Sequence, residues 1–517
     1  MNFSNSIKFS GLSAISPNSS YLAIVKTSSI IIYENDELKV IQKFTFSTPI
    51  SHFMWSPDSD FILIAFYKTG ICEVRSITNP KWICTINESQ SGIIYARWTP
   101  DSRKIILFND FCVRCSIWSL VDKSTVYINS PKFANKGIAF CENGNFMALA
   151  EKDGAKDFIG IYFTGDFTLV SRFQVDTFDL SDILWGKDAS TIIVIDSDLE
   201  CRLLAYSPTG NLLGNIVPYN NGLGVEICKF SGSGNCISAG FGDGTLRIFN
   251  ARSLKEVCSL SHSISTITNE MLVSVFKEEE IQAKNKFTKY VECSFPYKLH
   301  NKGKNISGTV SLVEWNFDSK YVATKFDILP NIVFIWEANA LMLHTVIIQI
   351  KPVKEFKWNP SQNILLIVTE NSKLYTYTME NIYIVELVSD TASPFSANKI
   401  QWATDGRSFI ISDKKQMIIG HPYNFDNMKN NSNSNIINNN EFNMNSLRNQ
   451  SHNQSNNMGD VNEDNMENEN INNVDNNLEM NEENDDENDQ ENLRLSNSLS
   501  KFKKKNDLRS NKDSFFN

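Results

Sequence analysis

The chain has 517 residues, 41% of them hydrophobic, and a formal net charge of −10 at pH 7. The charge is uneven, because residues 424–517 hold 18 acidic and 9 basic side chains, which leaves 41 acidic and 40 basic ones for residues 1–423. This near-neutral first part lacks the excess of lysine and arginine that nucleic-acid-binding surfaces need, which argues against that class of function.

The beginning of the chain, Met1 to Phe9, has no apolar run of the kind found in secretory signals. No stretch reaches the roughly 18 apolar residues that a transmembrane helix requires. We therefore expect a cytoplasmic protein whose ten cysteines are reduced thiols.

One short module recurs along residues 1–423. Its clearest copy is an apolar-x-aromatic triplet ending at Trp55, then the turn residues Ser56-Pro57-Asp58-Ser59, then the apolar run 61–65. This pattern predicts a short strand, a reverse turn and a buried second strand. Nine copies occur, with anchors at Ile15, Trp55, Trp98, Phe140, Trp185, Phe230, Trp315, Trp358 and Trp402.

The anchors are 40 to 45 residues apart, except for one step of 85 residues between Phe230 and Trp315. Four strands at this period are typical of a WD40 propeller blade. The sequence thus predicts an all-β WD40 β-propeller over residues 1–423. Nine modules indicate nine blades, although the usual range of about 4–8 leaves a ring of seven or eight blades with spare strands as an alternative.

The last module has no obvious fourth strand, whereas residues 3–9 alternate in polarity before the first module. We expect this N-terminal strand to complete the last blade and close the ring, covering an otherwise unpaired edge. The long step predicts an insertion at about 263–307, interpreted as a loop excursion that is either a simple expansion or a binding element.

Residues 424–517 form the second predicted region. Asparagine makes up 27 of the 69 residues from 424 to 492, with scattered acids and almost no aromatics. Such a composition predicts a disordered low-complexity tail. The tail ends in a basic segment around Lys501 to Lys505, which suits nuclear import, an acidic partner or simple solvated charge.

No catalytic constellation is recognisable. The phosphate-binding loop and the nucleophile elbow are both absent. Cys112 and Cys115 are interpreted as a pair inside one strand, where alternation would place them on opposite faces, which argues against a metal or redox site. The six histidines are scattered singly. We therefore predict a protein that is not an enzyme and has no catalytic, cofactor-binding or metal-binding residues.

Several stretches resemble one family, the WRAP-type WD40 proteins of centrosomes and spindle poles. The similarity runs through residues 1–420 and matches the insertion only loosely. The stretches that carry it are Met1 to Ser4, Ala65 to Gly70, Asn79 to Cys84, Met147 to Glu151 with Lys156-Asp157, Asp176 to Leu180, Asp198 to Glu200, and Asp318 to Thr324 with Asp327 to Asn331.

The resemblance implies a non-catalytic adaptor at the microtubule-organising centre, located at the centrosome or spindle pole. Such adaptors help to anchor microtubule minus ends and to assemble the spindle and, where present, cilia. The implied partners are a coiled-coil minus-end anchoring protein, with a minus-end-directed kinesin or gamma-tubulin-associated proteins as further candidates. No small-molecule substrate, nucleic acid or membrane is implied.

The residues in these stretches also suggest where a partner docks. Connections after the second and the fourth strand of each blade emerge on the same face of a propeller. We predict that this face binds protein, especially where blades four and five meet, although the same residues suit strand capping and loop hydrogen bonds. The candidates are Lys68, Lys156, Asp157, Asp176, Asp179, Asp198, Asp327, Pro330 and Asn331.

Two other classes of function remain as alternatives. The first is a propeller scaffold in translation initiation or an RNA-associated complex, which should show a basic face or an RNA-recognition module. The second is an enzyme on a propeller scaffold, which the missing constellation disfavours. Fold alone does not decide among them.

Overall fold

A computed structural model of the chain describes residues 1–219, 222–262, 266–268, 271, 273–281, 287–299, 308–388 and 394–422. The predicted disordered tail at 424–517 lies outside the described residues. Within them the chain is all-β, and its sheets, antiparallel except for one strand pair in blade 7, follow one another along the sequence as nine propeller blades. The prediction of a nine-bladed propeller is confirmed, and the seven- and eight-bladed alternatives are wrong.

Two short strands, β1 (Asn2–Phe3) and β2 (Ile7–Lys8), precede the first blade. Each of the first three blades consists of four strands in sequence order, with the first strand innermost. Blade 1 is β3 (Ser13–Ile15), β4 (Tyr21–Lys26), β5 (Ser29–Glu34) and β6 (Val40–Thr45); blade 2 is β7 (His52–Trp55), β8 (Phe61–Phe66), β9 (Ile71–Ser76) and β10 (Ile83–Asn87); blade 3 is β11 (Tyr95–Trp98), β12 (Lys104–Phe108), β13 (Arg114–Ser119) and β14 (Thr125–Asn129).

Blades 4 to 6 repeat this order. Blade 4 is β15 (Ile138–Phe140), β16 (Phe146–Asp153), β17 (Lys156–Phe163) and β18 (Thr168–Gln174); blade 5 is β19 (Asp182–Trp185), β20 (Ile192–Ile195), β21 (Leu203–Tyr206) and β22 (Leu212–Ile216); blade 6 is β23 (Val225–Phe230), β24 (Cys236–Phe241), β25 (Thr245–Asn250) and β26 (Glu256–Ser261). Two 3-10 helices, Tyr67–Thr69 and Asp110–Cys112, lie in blades 2 and 3, and no helix among the described residues has the length and hydropathy to span a bilayer.

Four strands of the insertion come before blade 7: β27 (Thr266–Ile267), β28 (Ser274–Ile281), β29 (Phe287–Glu292) and β30 (Tyr297–Lys298). Blade 7 is β31 (Val310–Trp315), β32 (Tyr321–Phe326), β33 (Ile332–Glu337) and β34 (Met342–Ile348); blade 8 is β35 (Glu355–Trp358), β36 (Ile364–Val368), β37 (Lys373–Thr378) and β38 (Asn381–Glu386); blade 9 contains β39 (Lys399–Trp402), β40 (Phe409–Ser412) and β41 (Gln416–His421).

All the anchor tryptophans except Trp185, whose indole N–H donates to Ala189 in its own turn, join neighbouring blades. The Trp98 indole N–H donates to the carbonyl oxygen of Met54 at 3.2 Å, and the Trp402 N–H donates to that of Lys357 at 3.2 Å. In each pair the acceptor directly precedes the anchor of the preceding blade. Because a buried indole N–H needs an acceptor, the aromatic anchor also fixes the spacing between successive innermost strands.

The turns between first and second strands make a second set of links. The hydroxyls of Ser59 and Ser102, whose φ angles are 66° and 58°, accept backbone N–H groups from the turn of the preceding blade. The donors are Asn18 and Asp58, both at 3.0 Å. This contact gives the serine that ends the Ser-Pro-Asp-Ser turn a role beyond its own hairpin.

The N-terminal strands pair with the last strand of the ring. β1 and β2 lie antiparallel to β41, with Phe3 opposite Gly420 and Ile7 opposite Met417. Phe9 is buried in a core shared by blades 1 and 9. Blade 9 thus takes its outer strand from the beginning of the chain.

The insertion does more than form a loop. β28 lies parallel to the outer strand β34, and β29 pairs with β28, so blade 7 becomes a six-stranded sheet. The buried carboxylate of Glu278 accepts hydrogen bonds from the Tyr375 hydroxyl and the Ile350 backbone N–H, both at 2.9 Å. The insertion is thereby attached to blade 8 as well as blade 7.

A buried histidine links blades 6 and 7. His262 is fully buried, its Nδ1 lies 2.9 Å from the Gly244 carbonyl oxygen, and its Nε2 lies 2.7 Å from the Thr324 hydroxyl. The Trp336 indole N–H donates to the same hydroxyl at 2.9 Å. Burial lowers the pKa of His262 to about 4, so the ring is neutral at pH 7.

Acidification is expected to destabilise the protein through His262. In the unfolded chain, an imidazole with a pKa near 6.5 binds a proton between pH 7 and 5, whereas the folded one, with a pKa of about 4, does not. Stability is therefore lost as the pH falls, by about 2 kcal/mol between pH 7 and 5. Urea unfolding at both pH values should show a smaller loss for His262→Gln, and equal losses in the two proteins would contradict this prediction.

Candidate protein-binding face

The connections of the ring emerge on two faces. We call the face that carries the connections after the second and fourth strands of each blade the upper face, and the opposite one the lower face. On the upper face, residues 175–181 join blade 4 to blade 5, and residues 196–202 join β20 to β21. These two connections are neighbours and form most of the candidate site.

Four of the predicted site residues lie elsewhere on the upper face. Lys68 is exposed in the 3-10 helix Tyr67–Thr69 of blade 2. Asp327, Pro330 and Asn331 lie between β32 and β33 of blade 7, where the Asp327 carboxylate accepts a hydrogen bond from the Thr309 hydroxyl at 2.6 Å. Asn331 donates to the Gln349 carbonyl oxygen at 3.0 Å. Asp327 and Asn331 thus bond to the connections before β31 and after β34, and none of the four residues joins the blade 4 and 5 cluster.

Lys156 and Asp157 are placed slightly differently from the prediction. They are the first two residues of β17 rather than part of a connection, because the β16–β17 hairpin extends to the pair Asp153 and Lys156. The Lys156 ammonium donates to Gln174 Oε1 at 3.2 Å, whereas Asp157 is buried. Only Lys156 of the two is therefore available to a partner.

Asp157 and Asp179 are joined by a lysine that the sequence analysis missed. The Lys132 side chain is only 5% exposed, and its Nζ lies 2.8 Å from Asp157 and 2.7 Å from Asp179. Lys152 also approaches Asp179, at 3.3 Å. The hydrogen bond from Lys132 lowers the pKa of Asp179, so this carboxylate stays ionised at neutral pH.

Charge reversal should therefore act differently at the two charged positions. Asp179→Lys would put a third cation beside Lys132 and Lys152, and we expect the free energy of unfolding to fall by roughly 1–2 kcal/mol. Lys156→Glu should change stability by less than about 0.5 kcal/mol, because the residue is exposed. Urea unfolding of both variants tests this, and an Asp179→Lys protein as stable as the wild type would refute it.

Asp196 organises the centre of the site, although the sequence analysis did not identify it. Its side chain is fully buried, and its carboxylate accepts backbone N–H groups from Phe178 at 2.9 Å, Asp179 at 3.0 Å and Ser197 at 2.9 Å. The Arg202 guanidinium completes the set at 2.8 Å. One carboxylate thus fixes both the 175–181 and the 196–202 connections.

Asp157 holds the other side of the same loop. Its Oδ2 accepts the Leu180 backbone N–H at 2.7 Å and the Thr177 hydroxyl at 3.1 Å. The buried carboxylates of Asp157 and Asp196 therefore bind every residue from Thr177 to Leu180, which includes the neighbours of Phe178 on both sides. Charge-assisted hydrogen bonds of this kind are stronger than neutral ones, so the loop is well fixed.

Two apolar side chains project from these fixed loops. Phe178 is 70% exposed and Leu199 is 72% exposed. Both line a groove of about 720 Å³, together with Asp176, Glu200 and Val217. Each lies between acidic residues in a stretch that carries the family resemblance. A single apolar residue between acidic ones was the signal in the sequence that could have identified both.

A second groove of about 590 Å³ lies on the upper face between blades 2 and 3, lined by Lys68, Gly92 and Phe111 among others. Phe111 is almost fully exposed, with a φ of 58°. Cys112 lies in this 3-10 turn rather than in the same strand as Cys115, so the prediction that both belong to one strand is wrong. Strand alternation could not relate the two cysteines, because β13 begins only at Arg114, after the turn that contains Cys112.

Two observations on the described residues concern metal binding and thiol reactivity. These residues contain no group of three or more His, Cys, Asp or Glu side chains placed to hold a metal ion. Burial raises the pKa of Cys72, Cys115 and Cys228 to about 12, so these thiols stay protonated. What the upper face offers is fixed loops, exposed apolar side chains and carboxylates, which suits protein binding.

The chain is similar to two curated proteins. WD repeat-containing protein WRAP73 of Mus musculus is 32% identical over 442 residues, which cover 80% of this chain and 94% of the mouse protein. An uncharacterised WD repeat-containing protein of Schizosaccharomyces pombe, C32H8.09, is 22% identical over 349 residues, covering 64% of this chain and 70% of the yeast protein. No protein-family model matches the chain.

Solved structures of other propellers resemble the fold. A eukaryotic initiation factor matches with a TM-score of 0.51 at 9% identity, over 74% of this chain and 89% of the other. The C-terminal WD40 domain of Sif2 matches with a TM-score of 0.45 at 12% identity, over 81% of this chain and 99% of that domain. At such identities the likeness concerns the fold alone.

Proposed function

The chain belongs to the WRAP73 family of WD repeat-containing proteins, and on that premise we propose that it acts as a non-catalytic scaffold at the microtubule-organising centre. There it would help to anchor microtubule minus ends and to assemble the mitotic spindle. The partners we propose are a coiled-coil minus-end anchoring protein and a minus-end-directed motor.

One observation carries this proposal: the similarity to WRAP73 spans 94% of the mouse protein. A match of that extent involves the ring as a whole rather than a single generic blade. Family membership and fold together support the coarser statement that the protein is a WD40 scaffold. The location at the spindle pole and the named partners are the proposed part.

The upper face supports the scaffold role. Propellers present loops on a rigid ring, and here two neighbouring loops are fixed by the buried carboxylates of Asp157 and Asp196. Preorganised loops lose little conformational entropy when a partner binds. The exposed Phe178 and Leu199 side chains supply apolar surface that a partner would remove from water.

The translation-initiation alternative receives less support. The likeness to an initiation factor concerns the fold alone, at 9% identity. Residues 1–423 contain 41 acidic and 40 basic side chains, so they lack the positive charge expected of an RNA-associated propeller.

The test is to tag the protein at its own locus, image dividing cells and purify the tagged protein with its partners. We expect foci at the spindle poles, with a coiled-coil protein or a minus-end-directed motor in the eluate. A diffuse or ribosome-associated signal without such partners would overturn the proposal.

A further inference from the structure

We propose that the groove between residues 175–181 and 196–202 binds a short peptide segment in which an apolar side chain is flanked by lysines or arginines. The proposal rests on the scaffold function above and adds the chemistry of the segment that the scaffold holds. Three features of the groove support it: its charge, its apolar side chains and its rigidity.

The charge of the groove is negative. The two connections carry four carboxylates, those of Asp176, Asp196, Asp198 and Glu200, and one guanidinium, that of Arg202, which gives these five groups a formal charge of −3. Arg202 pairs with Asp176 at 3.4 Å and with Asp196 at 2.8 Å. Asp198 and Glu200 are exposed and have no ion-pair partner among the residues that the structure describes. A basic segment would supply the missing counter-charges.

The neighbouring lysines offset only part of this charge: Lys156 and Lys136 donate to the uncharged side chains of Gln174 and Ser181, at 3.2 and 3.3 Å, at the two ends of the 175–181 connection. On the blade 4 side of Phe178, Lys132 and Lys152 are already paired with Asp157 and Asp179, so those four groups are neutral together. A partner phosphate, whether from nucleic acid or lipid, would meet the exposed carboxylates of the groove and be repelled. The charge therefore favours a basic peptide over an acidic ligand.

The groove also has an apolar part, so its ligand needs an apolar side chain in addition to positive charge. Phe178, Leu199 and Val217 all line it, and the last of these is 48% exposed. An apolar side chain inserted among them would bury surface that now contacts water, at about 25 cal/mol per Å². The carboxylates of the groove would then contact the basic residues that flank this apolar side chain in the peptide.

The rigidity of the groove separates it from an incidental exposed patch. The backbone N–H groups of Phe178, Asp179 and Leu180 all donate to buried carboxylates. A phenylalanine that is free to move would turn its ring away from water, whereas this one is held on a fixed backbone. Beside the second groove, the buried carboxylate of Glu88 pairs with the Arg114 guanidinium and accepts the Trp118 indole N–H rather than the N–H groups next to Phe111, so this groove carries no proposal.

The experiment is a selection of phage-displayed random peptides on the full-length protein, with the Phe178→Ser, Leu199→Ser double variant used for counter-selection. Enriched peptides are then synthesised with a fluorescent label and their Kd is measured by anisotropy. We expect peptides with an apolar residue between lysines or arginines, and a Kd at least about tenfold weaker for the double variant.

A second variant separates the charges from the apolar contacts. Asp198→Asn combined with Glu200→Gln should weaken binding and reduce its dependence on salt, because fewer charges are then neutralised on binding. Val121→Ser on the lower face should leave the Kd unchanged. Each variant should have the melting temperature of the wild type, because the altered side chains at Phe178, Leu199, Asp198 and Glu200 are all exposed.

Several results would overturn the proposal: no enrichment over the counter-selection, enriched peptides that are acidic or lack an apolar residue, or equal binding by the double variant. Peptide binding in solution and localisation in cells are separate measurements. A protein that selects basic-apolar peptides but does not reach the spindle pole would refute only the proposed function. One that localises and purifies with its partners, yet selects no such peptide, would refute only this inference.

Discussion

Removing residues 1–10 is expected to unfold the protein or make it aggregate at temperatures where the full chain is stable. β1 and β2 are the outer strands of blade 9, and their removal leaves β41 with an unpaired edge. The loss of the Ile7 and Phe9 side chains opens the core between blades 1 and 9. Burial of such side chains contributes about 1.5–3 kcal/mol each, a large part of a total stability of about 5–15 kcal/mol.

Thermal melting followed by circular dichroism, together with light scattering, measures this effect. Ile7→Ala should give a smaller decrease of the same kind, whereas Asn5→Ala should change nothing, because Asn5 is exposed in the same segment. A truncated protein that melts at the temperature of the full chain would refute the closure of the ring by this segment.

Asp196→Ala is expected to destabilise the protein by about 3–5 kcal/mol. The substitution would leave the Arg202 guanidinium without its buried partner, and it would free the N–H groups of Phe178, Asp179 and Ser197. Buried donors without acceptors are costly. The two loops of the groove should loosen together, so binding through Phe178 and Leu199 should weaken as well.

Urea unfolding at pH 7 gives the free energies for this comparison. Asp198→Ala is the matched control, since this carboxylate lies two residues further along the same connection but is exposed, and its loss should change stability by less than about 0.5 kcal/mol. If Asp196→Ala unfolded with the same midpoint as Asp198→Ala, the organising role of Asp196 would be wrong.

Much of the fold could be predicted because its signals are local. The triplet that ends at Trp55 and the turn that follows it lie within seven residues, and every blade repeats them with substitutions that keep their physical character. Strand alternation and turn chemistry act over such distances, so the count of nine blades could be read directly.

The local signals failed where a contact joins distant parts of the chain. Residues 274–281 were predicted to lie in a loop, yet they form a strand parallel to β34, which lies about seventy residues further along the chain. Glu278 in this strand also binds blade 8. The pattern inside the insertion resembles no blade module, so nothing in it indicated which edge it would join.

The candidate site divides in the same way. The sequence by itself determined which face carries the connections near Lys156, Asp176 and Asp198, because the face follows from strand order. The tertiary structure alone decided that Asp196 is buried, that it fixes two loops, and that Phe178 and Leu199 remain exposed. The reason is physical: whether a carboxylate or a phenyl ring is buried depends on neighbours that come from another blade, and local patterning carries no information about them.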